Sequence, residues 1–234
     1  GVFTGGALVL YAARAGVMEA KGVFGVVSRE SALVVNNILL AVSAFVVFIG
    51  TLWPLFSEMF FDRKLSVGEP WFNASFTPLM VLLGLVLPLG AMLPWKRGKI
   101  GRVALQLRLG FVLALALGAL FWAVQTGRSA LGPVGLFLGA WLIAGSVTDL
   151  LSRGRKGARL RRLATLPRAD WGKAVAHAGL GVTMAGIAGL LAWQQEDIRV
   201  LKDGEGFELA GYQLVLNGVQ QVEGPNYIST MGDV

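Results

Sequence analysis

Five long apolar runs, separated by short polar segments, dominate the hydrophobic pattern of the chain. They cover residues 31–55, 76–93, 103–125, 131–151 and 171–193. Each is long enough for a helix to cross about 30 Å of hydrocarbon while satisfying its own backbone hydrogen bonds. A shorter apolar stretch, residues 1–13, precedes them and is interpreted as a span that is only partly present. The pattern predicts an all-α polytopic membrane protein: a helical bundle of about six spans, the first truncated.

After Trp193 the pattern changes to an alternation with a period of two. The alternating residues are Tyr212, Gln213, Leu214, Val215, Leu216 and Asn217. Turn signals at 203–204 (Asp-Gly) and 224–226 (Gly-Pro-Asn) punctuate this segment, and the combination indicates short β-strands. We therefore expect residues 1–194 to form the transmembrane bundle and residues 195–234 to begin a small extracytoplasmic β domain.

Composition agrees with a membrane protein. Hydrophobic residues make up 55% of the 234 residues and charged residues only 15%, against about 25% charged in ordinary globular chains. This composition weighs against a soluble enzyme and excludes a disordered chain. The chain has no Cys, so it offers no disulfide, thiolate metal site or Cys nucleophile. No Ser-His-Asp triad, P-loop or zinc cluster can be assembled from its motifs.

The basic residues are distributed unevenly between alternate loops, which predicts the orientation of the spans. Sixteen of the 21 Lys and Arg residues lie in one set of loops and span ends, and the other set holds Arg63, Lys64, Arg128, Arg199 and Lys202. We take the first set as cytoplasmic, and the net charge of +7 as mostly a topology signal. The run from Arg153 to Arg168 is then a cytoplasmic loop that touches anionic membrane lipid, and no nucleic acid is expected as a partner.

The only histidine, His177, lies inside the last span. Ionisable residues inside spans face the bundle interior and are candidates for functional sites. Gly181, Ala185 and Gly189 follow it at steps of four, on the same helix face. Two interpretations are open. The strip is a helix-packing seam and His177 donates a hydrogen bond to another helix, or the strip leaves room for a flat cofactor and His177 is an axial iron ligand.

Other polar residues near the spans have simpler interpretations. Asn36 and Asn37 form a polar pair in an apolar span and are expected to bind other helices. Ser28 precedes that span as a candidate helix cap. Asp149, at the cytoplasmic end of its span, is interpreted as a snorkelling carboxylate or one paired with Arg153.

Six co-linear motifs resemble the CcmF-type cytochrome c haem lyases. They are the Ser-Arg-Glu of 28–30, the Asn pair of 36–37, GTLWPL at 50–55, SVGEPWFN at 66–73, AHAG at 176–179, and GY at 211–212 with EGPNY at 223–227. The resemblance runs in order from about residue 5 to residue 227. Trp53 and Trp71 stand where that family more often has Tyr, and Ala13 where Trp is common. The aromatic exchanges suit the membrane interface equally well.

The resemblance implies a multi-pass subunit of the bacterial inner membrane whose C-terminal segment is periplasmic. Such a subunit takes haem from a periplasmic haem chaperone and assists its attachment to apocytochrome c, alongside the thiol-handling and apocytochrome-binding subunits of the maturation system. It also carries an intramembrane haem b that delivers electrons, with two transmembrane histidines as ligands. One of these lies in the AHxG helix, so His177 is implied as cofactor-binding residue and as metal ligand, the axial ligand of the haem iron; no catalytic residue is implied.

Several parts of that family's machinery are expected upstream of residue 1. These are the tryptophan-rich haem-binding segment, two periplasmic histidines and the second membrane histidine. We therefore expect the chain to be the C-terminal half of a longer protein and, alone, to be incompetent as a haem lyase or haem reductase.

Two alternatives and one interface remain open. A non-redox membrane transporter subunit and an assembly scaffold are the alternative functions. The aromatic periplasmic loop 57–77 contains Phe60, Phe61, Trp71 and Phe72. It is a candidate contact surface for haem or partners, or a loop that merely lies on the membrane interface.

Overall fold

The computed structural model describes residues 2–17, 23–125, 129–153, 163 and 165–234. Part of the predicted basic distribution lies outside the described residues: Lys21, Arg128, Arg155, Lys156, Arg159, Arg161 and Arg162. The helices of the described part are α1 (Val2–Arg14, followed by a 3-10 turn at Ala15–Val17), α2 (Arg29–Phe61), α3 (Glu69–Ser75), α4 (Thr77–Met92), α5 (Ile100–Val124), α6 (Leu131–Arg153) and α7 (Arg168–Trp193). The strands are β1 (Gly206–Leu209), β2 (Tyr212–Val215), β3 (Gly218–Glu223) and β4 (Ile228–Asp233).

Four of the described helices, α2, α5, α6 and α7, are long and apolar enough to cross a membrane individually. Helices α3 and α4 together form a fifth candidate that is bent by 41°. Helix α1 is shorter, at 13 residues. The predicted fold class, a helical polytopic protein with a small C-terminal β region, is confirmed, while the total of about six spans stays a prediction.

The aromatic segment 57–77 is more helical than a loop. Helix α2 continues through Pro54 to Phe61, where Asp62 closes it in the left-handed conformation with φ 50°. Pro54 removes only one backbone hydrogen bond from a helix of 33 residues, so α2 continues past it and beyond the end of the apolar run at residue 55. Helix α3 then fills Glu69–Ser75 and packs on α2 and α4.

Helix α6 lies at the centre of the bundle, packed against α4, α5 and α7. Small residues let its backbone approach its neighbours. An added Cβ on Gly145 would lie 2.5 Å from the Pro88 ring of α4. One turn away, the buried Trp141 donates a hydrogen bond from Nε1 to the Leu85 carbonyl oxygen at 3.2 Å. This bond anchors α6 to α4 one turn before Pro88.

The β region consists of two antiparallel hairpins, β1–β2 and β3–β4. A two-residue loop, Ala210-Gly211, joins β1 to β2, and both residues have positive φ, 54° and 84°. Preceding the first hairpin, the Arg199 guanidinium donates a hydrogen bond to Asp197 and so holds the pKa of that carboxyl below its usual value. The same guanidinium lies 4.4 Å from the Phe207 ring centroid.

Candidate functional site

A groove of about 400 Å³ opens between α2, α4 and α7. It lies at the end of the bundle where α2 and α7 begin and α4 ends. Its wall is mostly aliphatic, from Ala32, Leu33, Val35 and Leu39 of α2, and Leu83, Val86, Leu87, Gly90 and Ala91 of α4. Its polar lining is Arg29, Asn36, Trp95, Lys173 and His177. The backbones of α2 and α7 do not pack against each other, so the groove separates them.

His177 enters this groove from α7 and is half-buried. On its inner side the same residue borders a small pocket that Ser146 and Asp149 of α6 also line. The hydroxyl of Ser146 donates to the Leu142 carbonyl oxygen at 2.8 Å, within its own helix. The imidazole therefore stands between the open apolar groove and a small inner pocket to which Ser146 and Asp149 contribute polar groups.

The strip of small residues that follows His177 does not line the groove. An added Cβ on Gly181 would lie 2.6 Å from the Gly139 carbonyl oxygen, and Ala185 also packs against Gly139. Gly189 has only its own helix's Trp193 within 4 Å of an added Cβ, at 3.8 Å. Gly181 and Ala185 thus form the packing seam between α6 and α7. The space beside His177 is bounded by α2 and α4, and the expectation that the strip itself makes room for a cofactor is wrong.

An ion-pair network connects α6 and α7 one helical turn before His177. The Asp149 carboxylate, only 7% exposed, lies 2.5 Å from Lys173 Nζ and 3.3 Å from Arg153 Nε. Arg153 Nη1 also lies 2.8 Å from the Asp170 carboxylate. The predicted pairing of Asp149 with Arg153 is confirmed, and Lys173 is a second partner. A nearly buried carboxylate requires such partners, because an unpaired charge there would be strongly destabilising.

The start of α2 is fixed to the connection between α4 and α5. Ser28 caps the helix, as predicted, by accepting a hydrogen bond from the Ser31 N–H at 3.1 Å. Both Glu30 carboxylate oxygens accept from the Lys96 N–H, at 3.0 and 2.9 Å. The Ser-Arg-Glu sequence thus acts as an anchor that positions one wall of the groove.

Between Ser28 and Glu30, Arg29 points toward the groove mouth. Its guanidinium donates a hydrogen bond to the Ala91 carbonyl oxygen at 2.7 Å. It also lies 5.2 Å from the centroid of the Trp95 ring. The residue is therefore held at the mouth by a carbonyl of α4 and an aromatic face.

The two adjacent asparagines of α2 lie in different environments. Asn36 lines the groove, whereas Asn37 is exposed. The Asn36 amide nitrogen donates to Asn37 Oδ1 at 3.3 Å. Asn36 therefore shares the groove with His177, a proximity that the sequence did not predict.

A second cavity, of about 450 Å³, lies between the end of α2 and the segment before α3. Trp53 and Trp71 line it, together with Gly50, against whose Cα the Trp71 ring packs. Trp53 and Trp71, which come from two separate sequence motifs, thus line the same cavity. Phe72 packs edge-to-face on Trp71, while Phe60 and Phe61 remain exposed.

The residues that line the groove could hold a flat, apolar cofactor such as a haem. A haem is a flat apolar macrocycle with two carboxylates and an iron that accepts an imidazole as axial ligand. The groove offers an aliphatic wall, one imidazole and two cations at its mouth. Among the described residues no group of three or more His, Cys, Asp or Glu could hold a bare metal ion.

Sequence reasoning identified His177 but missed Arg29, Trp95 and Lys173 as its neighbours in the groove. The spacing of Lys173 and His177, four residues apart on one helix, was a usable signal. Arg29 and Trp95 reach the groove only through the pairing of α2 with the α4–α5 connection, which no local pattern shows.

The chain is similar to known proteins over nearly all of its length. The cytochrome c-type biogenesis protein ccl1 of Rhodobacter capsulatus is 57% identical over 228 residues, covering 96% of this chain and 34% of that protein. CycK of Bradyrhizobium diazoefficiens is 45% identical, covering 97% and 35%. CcmF of Escherichia coli is 32% identical, covering 97% and 35%. No solved structure matches the chain.

A family model described as the CcmF C-terminal beta-sandwich matches residues 192–234. These residues contain both β hairpins and the end of α7. The chain spans about a third of the length of the curated relatives it matches. With the helical bundle, the β region and this similarity in agreement, the chain belongs to the CcmF-type family of cytochrome c-type biogenesis proteins.

Proposed function

We propose that the chain serves cytochrome c maturation and that its groove holds a haem b, with His177 as one axial ligand. The relatives that support this are named cytochrome c-type biogenesis proteins. The observation that carries the haem assignment is the position of His177, an imidazole facing an aliphatic groove inside a candidate membrane span. An imidazole in that place is costly unless it has a specific partner.

The chain's own residues would have distinct roles. His177 presents its imidazole to the groove, and the aliphatic side chains of α2 and α4 exclude water from the macrocycle. The Asp149 network fixes the first turn of α7 against α6 and thereby fixes the position of His177. When bound, the haem supplies one-electron transfer. The second axial ligand would come from outside this chain, since His177 is its only histidine.

The wider function follows as part of the same proposal. The full-length protein would be a multi-pass protein of the inner membrane, with the β region in the periplasm. It would receive haem from a periplasmic haem chaperone and assist its covalent attachment to apocytochrome c, with the thiol-handling and apocytochrome-binding subunits. The intramembrane haem b would deliver electrons that keep the transferred haem reduced. The cavity at Trp53 and Trp71 lies at the end of α2 away from the groove, where a periplasmic ligand or partner could reach it.

The test is the optical spectrum of the purified full-length protein. We expect His177→Ala to lose most of the bis-histidine haem b spectrum while the protein still accumulates in the membrane, because Ala suits a helix at least as well as His. Added imidazole should restore part of the spectrum by filling the vacated axial position. Thr183→Ala is the matched control, since Thr183 is exposed on the same helix and bonds only its own backbone, at 3.1 Å to the Gly179 carbonyl oxygen. A full bis-histidine spectrum in His177→Ala would overturn the ligand assignment.

A further inference from the structure

Two cations stand at the mouth of the groove on opposite walls. Arg29 belongs to α2 and Lys173 to α7, and both line the cavity that His177 enters. Lys173 precedes His177 by four residues, so the two side chains lie on the same face of α7. An apolar groove whose polar groups are positive at one end selects an amphipathic ligand with anionic groups at one edge.

Arg29 keeps hydrogen-bonding capacity for a ligand. A guanidinium carries five N–H donors, and one of those of Arg29 donates to the Ala91 carbonyl oxygen at 2.7 Å. The Trp95 ring, with its centroid 5.2 Å from the guanidinium carbon, supports the planar group from one side. The group is thus pre-positioned at the mouth, and its remaining donors suit a carboxylate, which guanidinium binds in a bidentate manner.

Binding an anion in the groove requires the Lys173 side chain to rotate, because its Nζ atom is buried and lies 2.5 Å from the Asp149 carboxylate. That carboxylate is also held by Arg153 of its own helix at 3.3 Å. If Lys173 shared its charge with an anion in the groove, Asp149 would keep a cationic partner.

The charges near the mouth leave a positive surplus. The region holds the carboxylates of Asp149, Asp170 and Glu30 and four cationic side chains, namely Arg29, Lys96, Arg153 and Lys173. Both Glu30 oxygens also accept from the backbone N–H of Lys96. An anionic edge therefore improves the charge balance here, whereas a neutral edge leaves two cations partly desolvated.

We propose that Arg29 and Lys173 bind the two propionate carboxylates of the haem. This inference rests on the proposed haem-binding function and deepens it. The propionate edge lies at the mouth, and the apolar edge of the macrocycle lies against the aliphatic side chains of α4, such as Leu83 and Val86. The two cations then fix one orientation of the macrocycle and select tetrapyrroles that carry free carboxylates.

The experiment compares two ligands on the full-length protein freed of haem, in nanodiscs of phosphatidylcholine. One ligand is haem and the other is haem dimethyl ester, whose carboxylates are blocked. We expect haem to bind about tenfold or more tightly than the ester, because the ester cannot form charge-assisted hydrogen bonds to the two cations. Because this comparison uses the unaltered protein, it does not depend on any variant folding.

The variants Arg29→Gln and Lys173→Gln assign the effect to these residues. Arg29→Gln should weaken the binding of haem by about tenfold and leave the binding of the ester nearly unchanged. Lys173→Gln also loosens the Asp149 network that positions His177, so it should weaken the binding of both ligands, that of haem by about tenfold more than that of the ester. Arg102→Gln is the control, because Arg102 is an exposed cation at the same end of the bundle and does not line the groove. Equal affinity of the two ligands for the unaltered protein, or equal losses for both ligands in the variants, would overturn the inference. Failure of the proposed function would be distinct: the His177→Ala spectrum would be unchanged whichever ligand binds.

Discussion

Gly181 of α7 lies directly against the backbone of Gly139 of α6, so that a Cβ added to Gly181 would lie 2.6 Å from the Gly139 carbonyl oxygen. The obstacle is backbone, which cannot rotate away as the end of a flexible side chain can. In the membrane, such close backbone approach is a main source of helix association, because lipid provides no hydrophobic driving force between helices.

Gly181→Ala is therefore expected to destabilise the bundle. Overpacking at this seam should lower the free energy of unfolding by about 1–3 kcal/mol, and the separation of α6 from α7 should also disturb His177. Thermal unfolding in detergent measures the effect. Gly179→Ala and Gly186→Ala are matched controls on the same helix, with open space around the added Cβ. These should be neutral or stabilising, and a Gly181→Ala variant as stable as they are would contradict the packing assignment.

The buried carboxylate of Asp149 supports a second prediction. The Asp149 side chain is only 7% exposed, and the substitution Asp149→Asn removes the carboxylate that Lys173 and Arg153 share. Removing one member of a buried pair costs about 3–5 kcal/mol, and partial exposure of the two cations, 27% each, should reduce this to roughly 1–3 kcal/mol.

A double-mutant cycle separates the pair from its surroundings. Lys173→Met added to Asp149→Asn should recover part of the lost stability, because the stranded cation is then gone. The measurement is the unfolding free energy of the single and double variants. Additive losses would show that Asp149 and Lys173 are not energetically coupled.

The turn between β1 and β2 gives a third prediction. Ala210 and Gly211 both have positive φ, the geometry of a type I′ turn, in which Asn-Gly is strongly preferred. Ala210→Asn should stabilise the hairpin by up to about 1 kcal/mol, since Asn adopts the left-handed region more readily than Ala. Gly211→Ala should destabilise it by about 1–2 kcal/mol. Amide hydrogen exchange of Leu209 and Tyr212 reports both effects, and a slower exchange in Gly211→Ala would contradict the turn assignment.

The same turn shows a limit of what local sequence patterns can predict. The alternation from Tyr212 to Asn217 was enough to predict strands, but Ala210 gave no turn signal because Ala rarely adopts positive φ. The long apolar runs predicted the positions of the four candidate spans and of α4, since a hydropathy requirement of about 20 residues leaves few alternatives. The extension of α2 to Phe61 was missed because the apolar run ends at residue 55.

Of the residues in the candidate site, only His177 was predictable from the sequence. His177 stands out because an imidazole inside a span is energetically costly unless it has a specific partner. Its neighbours Arg29 and Trp95 come from segments about 150 and 80 residues away and meet it only through helix packing. Likewise, the periodicity placed Gly181 on the face of His177, but only the structure shows that this part of the face packs on α6.

The orientation in the membrane can be tested with reporter fusions in the full-length protein. The helix ends around the groove carry Arg29, Lys99, Arg153 and Lys173, so the positive-inside rule predicts that this end is cytoplasmic. A fusion after Leu151 should therefore report a cytoplasmic position and a fusion after Gln195 a periplasmic one. The opposite result at both sites would invert the bundle, and the same result at both sites would show that α7 does not cross the membrane.

The two asparagines of α2 should behave differently when each is replaced by Leu. Asn36 lines the groove with His177, and Asn37 is exposed outside it. Asn36→Leu makes the groove less polar at nearly constant side-chain size. Because ferric haem carries one more positive charge than ferrous haem, a less polar groove disfavours the ferric state. We expect the midpoint potential of the bound haem to rise.

Asn37→Leu is the matched substitution on the other face of the same helix. It should leave the midpoint potential and the amount of folded full-length protein nearly unchanged, since the hydrogen bond of the exposed Asn37 among the described residues is the one with its neighbour Asn36. Redox titration of the haem spectrum, with immunodetection of the membrane fraction, measures the two quantities. Replacing either Asn removes the 3.3 Å hydrogen bond between the two amides. A change common to both variants is therefore assigned to the loss of that bond. A potential that shifts in Asn37→Leu and not in Asn36→Leu would show that the haem lies on the other side of α2, away from the groove that His177 enters.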